Sequence, residues 1–271
     1  MRLATNYSVK NHSSGFTLVE LSIVLVIIGL LVGGILTGQT LIRKTELKTI
    51  GTEFSFYQKA ITNFRDQYLE LPGDMSRATQ YWGASANCPG DSTQGTTDGT
   101  TCDGDGNGRV ERDNVSPTSN EWYRAWQHLA NAELIDGVYN GVTGSGDPSN
   151  HSVVGVNVPG SALKNAGWTM RWTGPQGAGT EIFANEDYGS VFFYGREKDD
   201  GTSSGAILQP KELYQIDSKI DDGLPGKGKI IARIWDECTD APDATLASAE
   251  AANYSLEVDD EVCSIIFANA F

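Results

Sequence analysis

The sequence predicts an α+β protein: a long N-terminal helix, membrane-spanning in its first half, packed against an antiparallel sheet in a loop-rich C-terminal globular domain. Three observations carry this. Phe16 to Leu36 is an apolar run of 21 residues broken by a single charge, Glu20. Apolar residues then recur at Leu47, Ile50, Phe54, Tyr57, Ile61, Phe64 and Tyr68, alternating spacings of three and four, which is one face of a helix. Beyond residue 150 the signals are mostly of strands between glycine-rich turns.

Met1 to Gly15 is polar and basic without periodicity and reads as a removable leader. The run after it would span about 30 Å as a helix, the thickness of a hydrocarbon core. A carboxylate inside such a run costs on the order of 3 kcal/mol, so Glu20 needs a partner. A secretory signal has a shorter core followed by a small-residue cleavage site, and a buried helix of a soluble protein rarely stays this apolar. A plain single-pass anchor explains the length but not the glutamate. Charge does not orient the run, because Arg2 and Lys10 precede it while Arg43, Lys44 and Lys48 follow it. Gly29 and Gly33, and Gly34 and Gly38, stand four apart and permit close approach of a second helix, although glycine is common in membrane helices anyway.

No proline interrupts Phe16 to Leu69, so one continuous helix is expected there. Leu71-Pro72-Gly73-Asp74 ends it. Cys88 to Asn120 is poor in apolar residues and must be a loop. A second helix is expected from Asn120 to about Ile135, with Trp122, Trp126 and Leu129 inward and Asp136-Gly137 closing it. Strands are expected at Ser152–Val158, Trp168–Trp172, Ser190–Tyr194, Lys229–Trp235 and Cys263–Phe267, and a short helix at Pro210–Ile220 with its proline in the first turn. The domains are therefore a leader at 1–15, the long helix at 16–70 and a globular domain at 71–271.

Gly15-Phe16-Thr17-Leu18-Val19-Glu20 resembles the processing site of type IV prepilins and type II secretion pseudopilins. The resemblance covers about the first fifth of the chain. It implies a prepilin leader retained on the cytoplasmic side, cleavage after Gly15 by prepilin peptidase, methylation of the Phe16 amine, and a role for Glu20 in assembly with other pilin-like subunits. It places the chain in the inner membrane by a single pass, with the C-terminal domain periplasmic until a filament forms. Many type IV pilins carry a proline late in the apolar tract, and the absence of one before Pro72 leans toward the pseudopilin-like branch. A minor tip subunit or adhesin is the alternative within the family, and a membrane-anchored periplasmic binding domain the alternative outside it.

Composition narrows the function further. A net charge of −15 repels phosphate backbones, which argues against nucleic acid as a partner. With 31 glycines among 271 residues and only 20% charged residues, the exported part reads as loop-rich rather than disordered. Four cysteines allow three pairings; joining neighbours, Cys88 with Cys102 and Cys238 with Cys263, closes small loops worth about 3 kcal/mol each. The second pair is similar to the disulfide-closed loop many pilins carry near the C-terminus.

Outside the N-terminus the strongest motif is Asp103-Gly104-Asp105-Gly106-Asn107-Gly108-Arg109-Val110, which has the alternating oxygen ligands of the first half of a calcium loop. The second half departs from that pattern: position twelve is Asn114, with Glu111 at nine and Asp113 at eleven. Glu121 is the candidate for the missing carboxylate. The expected cofactor is a structural Ca2+ held by Asp103, Asp105, Asn107, the Arg109 carbonyl and a carboxylate from Glu111, Asp113 or Glu121, against the alternative of a solvated Asp/Gly turn. Asp217, Asp221 and Asp222 offer the oxygens of a second cation site but read mainly as a helix end and turn. Gly201-Thr202-Ser203-Ser204-Gly205 has the spacing of a nucleophile elbow, but Lys198-Asp199-Asp200 stands where its strand should end and no histidine follows it. No enzyme activity is expected.

Overall fold

The computed structural model describes residues 16–85, 96–111, 121–144, 151–174, 187–198, 202–233 and 236–271. Helix α1 covers Leu18–Tyr68, uninterrupted because no proline or capping glycine falls within it. The chain divides into two compact units, Met1–Thr45 and Glu46–Phe271. In the first, every side chain from Leu18 to Leu36 is solvent-exposed.

The second unit is a helix-on-sheet domain. Its sheet is antiparallel with strands β1 (Ala166–Thr173), β2 (Gly189–Arg196), β3 (Ile230–Ala232) and β4 (Ile265–Phe267), in the order β1-β2-β4-β3. The last strand in sequence thus enters between two earlier ones. Register follows the pleat: Trp168 opposes Tyr194, Met170 opposes Phe192, and Phe192 and Ile230 both oppose Phe267. A shift by one residue would turn this aromatic set to the other face, so packing selects the register.

Against that face lies the second half of α1. Phe54 stacks on Phe267 with centroids 4.2 Å apart, and Tyr57 meets Trp168 and Trp126 edge-on at 5.6 and 5.0 Å. Aromatic pairs in such geometries add about 0.5–1.5 kcal/mol each beyond the burial of their area. Glu53 adds two polar ties, accepting from Trp168 Nε1 at 2.9 Å and from the Ala162 amide at 3.1 Å. Gln58 Nε2 donates to the Ala270 carbonyl at 2.7 Å and fixes the C-terminus beside the helix.

The opposite face of the sheet is also covered: Val191, Phe193, Ile231 and Ile266 pack with Tyr188, Ala249 and Ala252. Both faces of β2 are therefore apolar, which explains the continuous run Val191-Phe192-Phe193-Tyr194. Helix α2 (Ala78–Trp82) is one turn; α3 (Glu121–Asn131) is buried from Glu121 to Leu129 and packs on β1; α4 (Pro210–Ile220) begins in a capping box between Gln209 and Glu212; α5 (Leu246–Ala251) is a short helix within the segment closed by the C-terminal disulfide.

The long helix, its end and α4 stand where the residue pattern puts them. Ser152–Val158 is not a strand: it is a turn held by a single Val154–Val158 bridge, with the Asn157 side chain donating to the Val142 and His151 carbonyls. Its alternation of valines is used to cover the edge of the sheet, since Val154 lies against Gly160 and Gly167. β3 and β4 are shorter than the expected Lys229–Trp235 and Cys263–Phe267, and Trp235 lies outside the described residues. α3 stops at Asn131, where a turn through Glu133 at φ 58° carries the chain to Ile135.

Candidate functional site

At the head of α1, Thr17 and Glu20 form a reciprocal capping box. Glu20 Oε2 accepts from the Thr17 amide and hydroxyl, both at 2.8 Å, and Thr17 Oγ1 accepts from the Glu20 amide at 3.2 Å. Phe16 and Leu21 hold the sequence positions of a hydrophobic staple around that box. The glutamate inside the apolar tract therefore has one use within its own chain: it satisfies an amide that a helix start leaves open. Its other oxygen, Oε1, has no partner among the described residues. Beyond it, an 18-residue apolar window in α1 has no residue buried, and a Cβ added at Gly29, Gly33, Gly34 or Gly38 would touch nothing.

The decisive comparison concerns this stretch. The family model for the prokaryotic N-terminal methylation motif matches residues 10–36. The chain carries a prepilin-type cleavage and methylation signal. That signal is similar to the one at the head of type IV pilins and pseudopilins, and the exposed apolar helix that follows it fits a single-pass anchor of the inner membrane. No curated protein and no solved structure matches the chain. Of the two residues flanking the expected cleavage point, Phe16 is 89% exposed and Gly15 lies outside the described residues.

A second cluster lies in the globular unit. Asp74, Asp105 and Glu121 each direct one carboxylate oxygen to a common point, the three atoms lying within 4.8 Å of one another. Three segments build it: the turn after α1, the Asp/Gly loop and the first residue of α3. Asp74 accepts from the amides of Asn107 and Gly108, both at 2.9 Å, while its carbonyl accepts from Gly106 at 2.9 Å. Glu121 accepts from the amides of Asp105 and Glu111 at 3.2 and 3.0 Å. Burial pushes the Glu121 carboxyl up to about 8, with Asp74 and Asp105 adding repulsion, and burial likewise raises Asp74 to about 6. Arg124, one turn further along α3, supplies a positive charge nearby and donates to the Asp103 carbonyl at 3.2 Å.

The motif residues divide between roles. Asp105 and Glu121 join the cluster. Asp103 turns away and accepts from the Thr79 amide and hydroxyl at 2.8 and 3.1 Å, supporting the first turn of α2. Asn107 bridges Asp105 and Glu111 through its side-chain amide, and its own Oδ1 accepts from the Arg109 amide. The Arg109 guanidinium lies 4.0 Å over the Trp172 ring, and the Trp172 backbone amide donates to the Val110 carbonyl at 2.6 Å, so the loop is tied to the edge of β1. Asp113 lies outside the described residues. Asp74 is the member that the spacing within residues 103–114 does not reveal. Its signal is the Pro72-Gly73-Asp74 turn, where Gly73 at φ 87° places the chain against the Glu121 carbonyl.

Buried His128 holds this arrangement from behind. Its Nδ1 accepts from the Gly73 amide at 3.0 Å, so the ring proton sits on Nε2 and points to Thr101 Oγ1, also at 3.0 Å. Burial drives its pKa down to about 3 and keeps it neutral. Cys238 and Cys263 are bonded to each other. Cys102 is also disulfide-bonded, while Cys88 lies outside the described residues. Asp217 is buried at the second acidic group, accepting from Tyr254 hydroxyl at 2.7 Å and from the Gly223 amide at 3.2 Å, with Asp221 used to receive the amides of Lys229 and Ile230. These bonds are those of a helix end and a turn. Ser203, the residue at the centre of the elbow-like spacing, is fully buried and donates its amide to Thr169 Oγ1.

Proposed function

We propose that the chain is a structural, non-catalytic subunit of a type IV pilus or type II secretion filament. It is made as a prepilin, cut between Gly15 and Phe16 by prepilin peptidase, held in the inner membrane by Phe16–Leu36 with residues 71–271 in the periplasm, and assembled by packing of its N-terminal helix. The observation that carries this is the methylation motif on residues 10–36 at the head of a helix whose apolar first part has no covering among the described residues. Mass spectrometry of the native protein tests the first step. A chain beginning at N-methylated Phe16 is expected, and Gly15→Leu should leave the leader attached; an intact Met1 on the wild type overturns the reading.

In assembly, Glu20 offers its remaining oxygen to the cationic Phe16 amine of a neighbouring subunit, because a carboxylate alone among apolar helices costs several kcal/mol and pairing recovers much of that. Glu20→Ala should leave cleavage intact and sharply reduce the filament sheared from cells. Glu20→Gln keeps an acceptor for Thr17 while removing the charge. A glutamine variant that assembles like wild type would leave Glu20 as a helix cap only.

The acidic cluster supports a structural calcium ion. Asp74, Asp105 and Glu121 are hard oxygen donors from three separate segments, and one divalent cation would relieve the repulsion that raises two of them. The detergent-solubilised processed chain should melt higher in calcium than in chelator. A ligand at a hundred times its dissociation constant adds about 2.7 kcal/mol to a folded state that alone binds it. Equal melting temperatures would dispose of the ion.

A further inference from the structure

Two surfaces of the globular unit carry unpaired charge of opposite sign. The first is the outer face of α1. Its buried side chains Leu47, Ile50, Phe54, Tyr57, Ile61 and Phe64 face the core. At 100° per residue, Lys48 and Lys59 fall about 20° apart on the opposite side, roughly 16 Å along the axis, with Thr52 and Ser55 between them. Both lysines are exposed and neither forms an ion pair among the described residues.

The second surface is the segment closed by Cys238–Cys263. From Asp236 to Cys263 there are nine carboxylates and no lysine or arginine. The disulfide, an ion pair between Lys211 and Asp259 at 2.6 Å and another between Arg196 and Glu261 at 2.7 Å hold this lobe to the domain. Asp236, Glu237, Glu250, Glu257 and Asp260 remain exposed, and their carboxylates have no hydrogen bond or ion pair among the described residues.

We infer that the acidic lobe of one copy docks on the Lys48–Lys59 ridge of the next, an inference that rests on the filament reading above. Chains of net charge −15 repel one another over most of their surface, so contacts between copies are favoured where a basic face meets an acidic one. The two patches are different surfaces of the same chain. Their contact is therefore heterologous, and a heterologous contact that does not close propagates into an open filament rather than a dimer.

Charge exchange in the full chain tests it. Lys48→Glu with Lys59→Glu should leave cleavage after Gly15 intact and lower the sheared filament at least ten-fold; adding Glu250→Lys, Glu257→Lys and Asp260→Lys should restore it. Carbodiimide treatment of wild-type filaments should join Lys48 or Lys59 of one chain to a carboxylate of residues 236–261 of another, shown by mixing isotopically labelled and unlabelled subunits. This second measurement decides the matter if the lysine variant melts lower than wild type. Undiminished filament from the lysine variant, a loss that the reversed lobe does not repair in a stably folded protein, or cross-links from the lysines only to other surfaces overturns the docking. Absence of any filament from wild type would instead overturn the subunit reading itself.

Discussion

Asp217 shows how a single buried carboxyl writes a pH dependence into the domain. Burial raises its pKa to about 7, with repulsion from Asp222 and Asp221 outweighed in part by the bonds from Tyr254 and Gly223. A pKa raised on folding means that the folded state binds the proton more tightly than the unfolded one. The contribution is complete below the unfolded value near 3.8 and is lost as pH rises through about 7, by at most about 4 kcal/mol. Asp217→Asn removes that titration. Its stability relative to wild type should improve between pH 4 and pH 8, read from denaturant midpoints at each pH; a difference that does not change with pH would refute the assignment. Glu53 contributes through a hydrogen bond, accepting from the buried indole of Trp168. Glu53→Ala should cost about 1–3 kcal/mol by leaving that N–H without an acceptor, measured by urea denaturation.

Among the elements, the turn after α1 has little freedom. Gly73 sits at φ 87°, and a Cβ there would stand 2.5 Å from the Glu121 carbonyl oxygen. Gly73→Ala should therefore destabilise by at least about 2 kcal/mol through strain and displacement of α3. It should also lower the melting temperature more in calcium than in chelator, since Asp74 and Glu121 would be pulled apart. An equal loss in both buffers would separate the turn from the ion. α1 itself needs no such support in its second half, where eight of its aromatic and aliphatic side chains are buried in the core.

For the whole molecule, the C-terminal disulfide joins residues separated by 25 positions and closes the lobe whose end runs into β4. β4 is the strand between β2 and β3, so loosening its approach threatens the centre of the sheet rather than its edge. Cys238→Ser with Cys263→Ser should cost about 3 kcal/mol by the loop-closure argument and lower the thermal midpoint of the domain. An unchanged midpoint would mean that the two ion pairs at Asp259 and Glu261 hold the lobe without it.

The N-terminal half of the architecture was legible because its signals are local. An apolar tract of membrane length and apolar residues at three- and four-residue spacing each specify their outcome within a turn or two of helix. Pro210 and Glu212 announce α4 in the same way. Other features depend on which distant segments meet. The valines of 152–158 alternate like a strand, but the Asn157 side chain competes for the local carbonyls and closes a turn instead. Asp74 lies 31 positions from Asp105 and 47 from Glu121, so its place beside them was decided by the packing of the α1 end against α3, with His128 receiving the Gly73 amide. The Asp/Gly loop by itself determined that oxygens would be abundant near residues 103–111. Only the tertiary structure chose which of them converge, because convergence follows from burial and shared hydrogen bonds among three segments and not from the spacing within one.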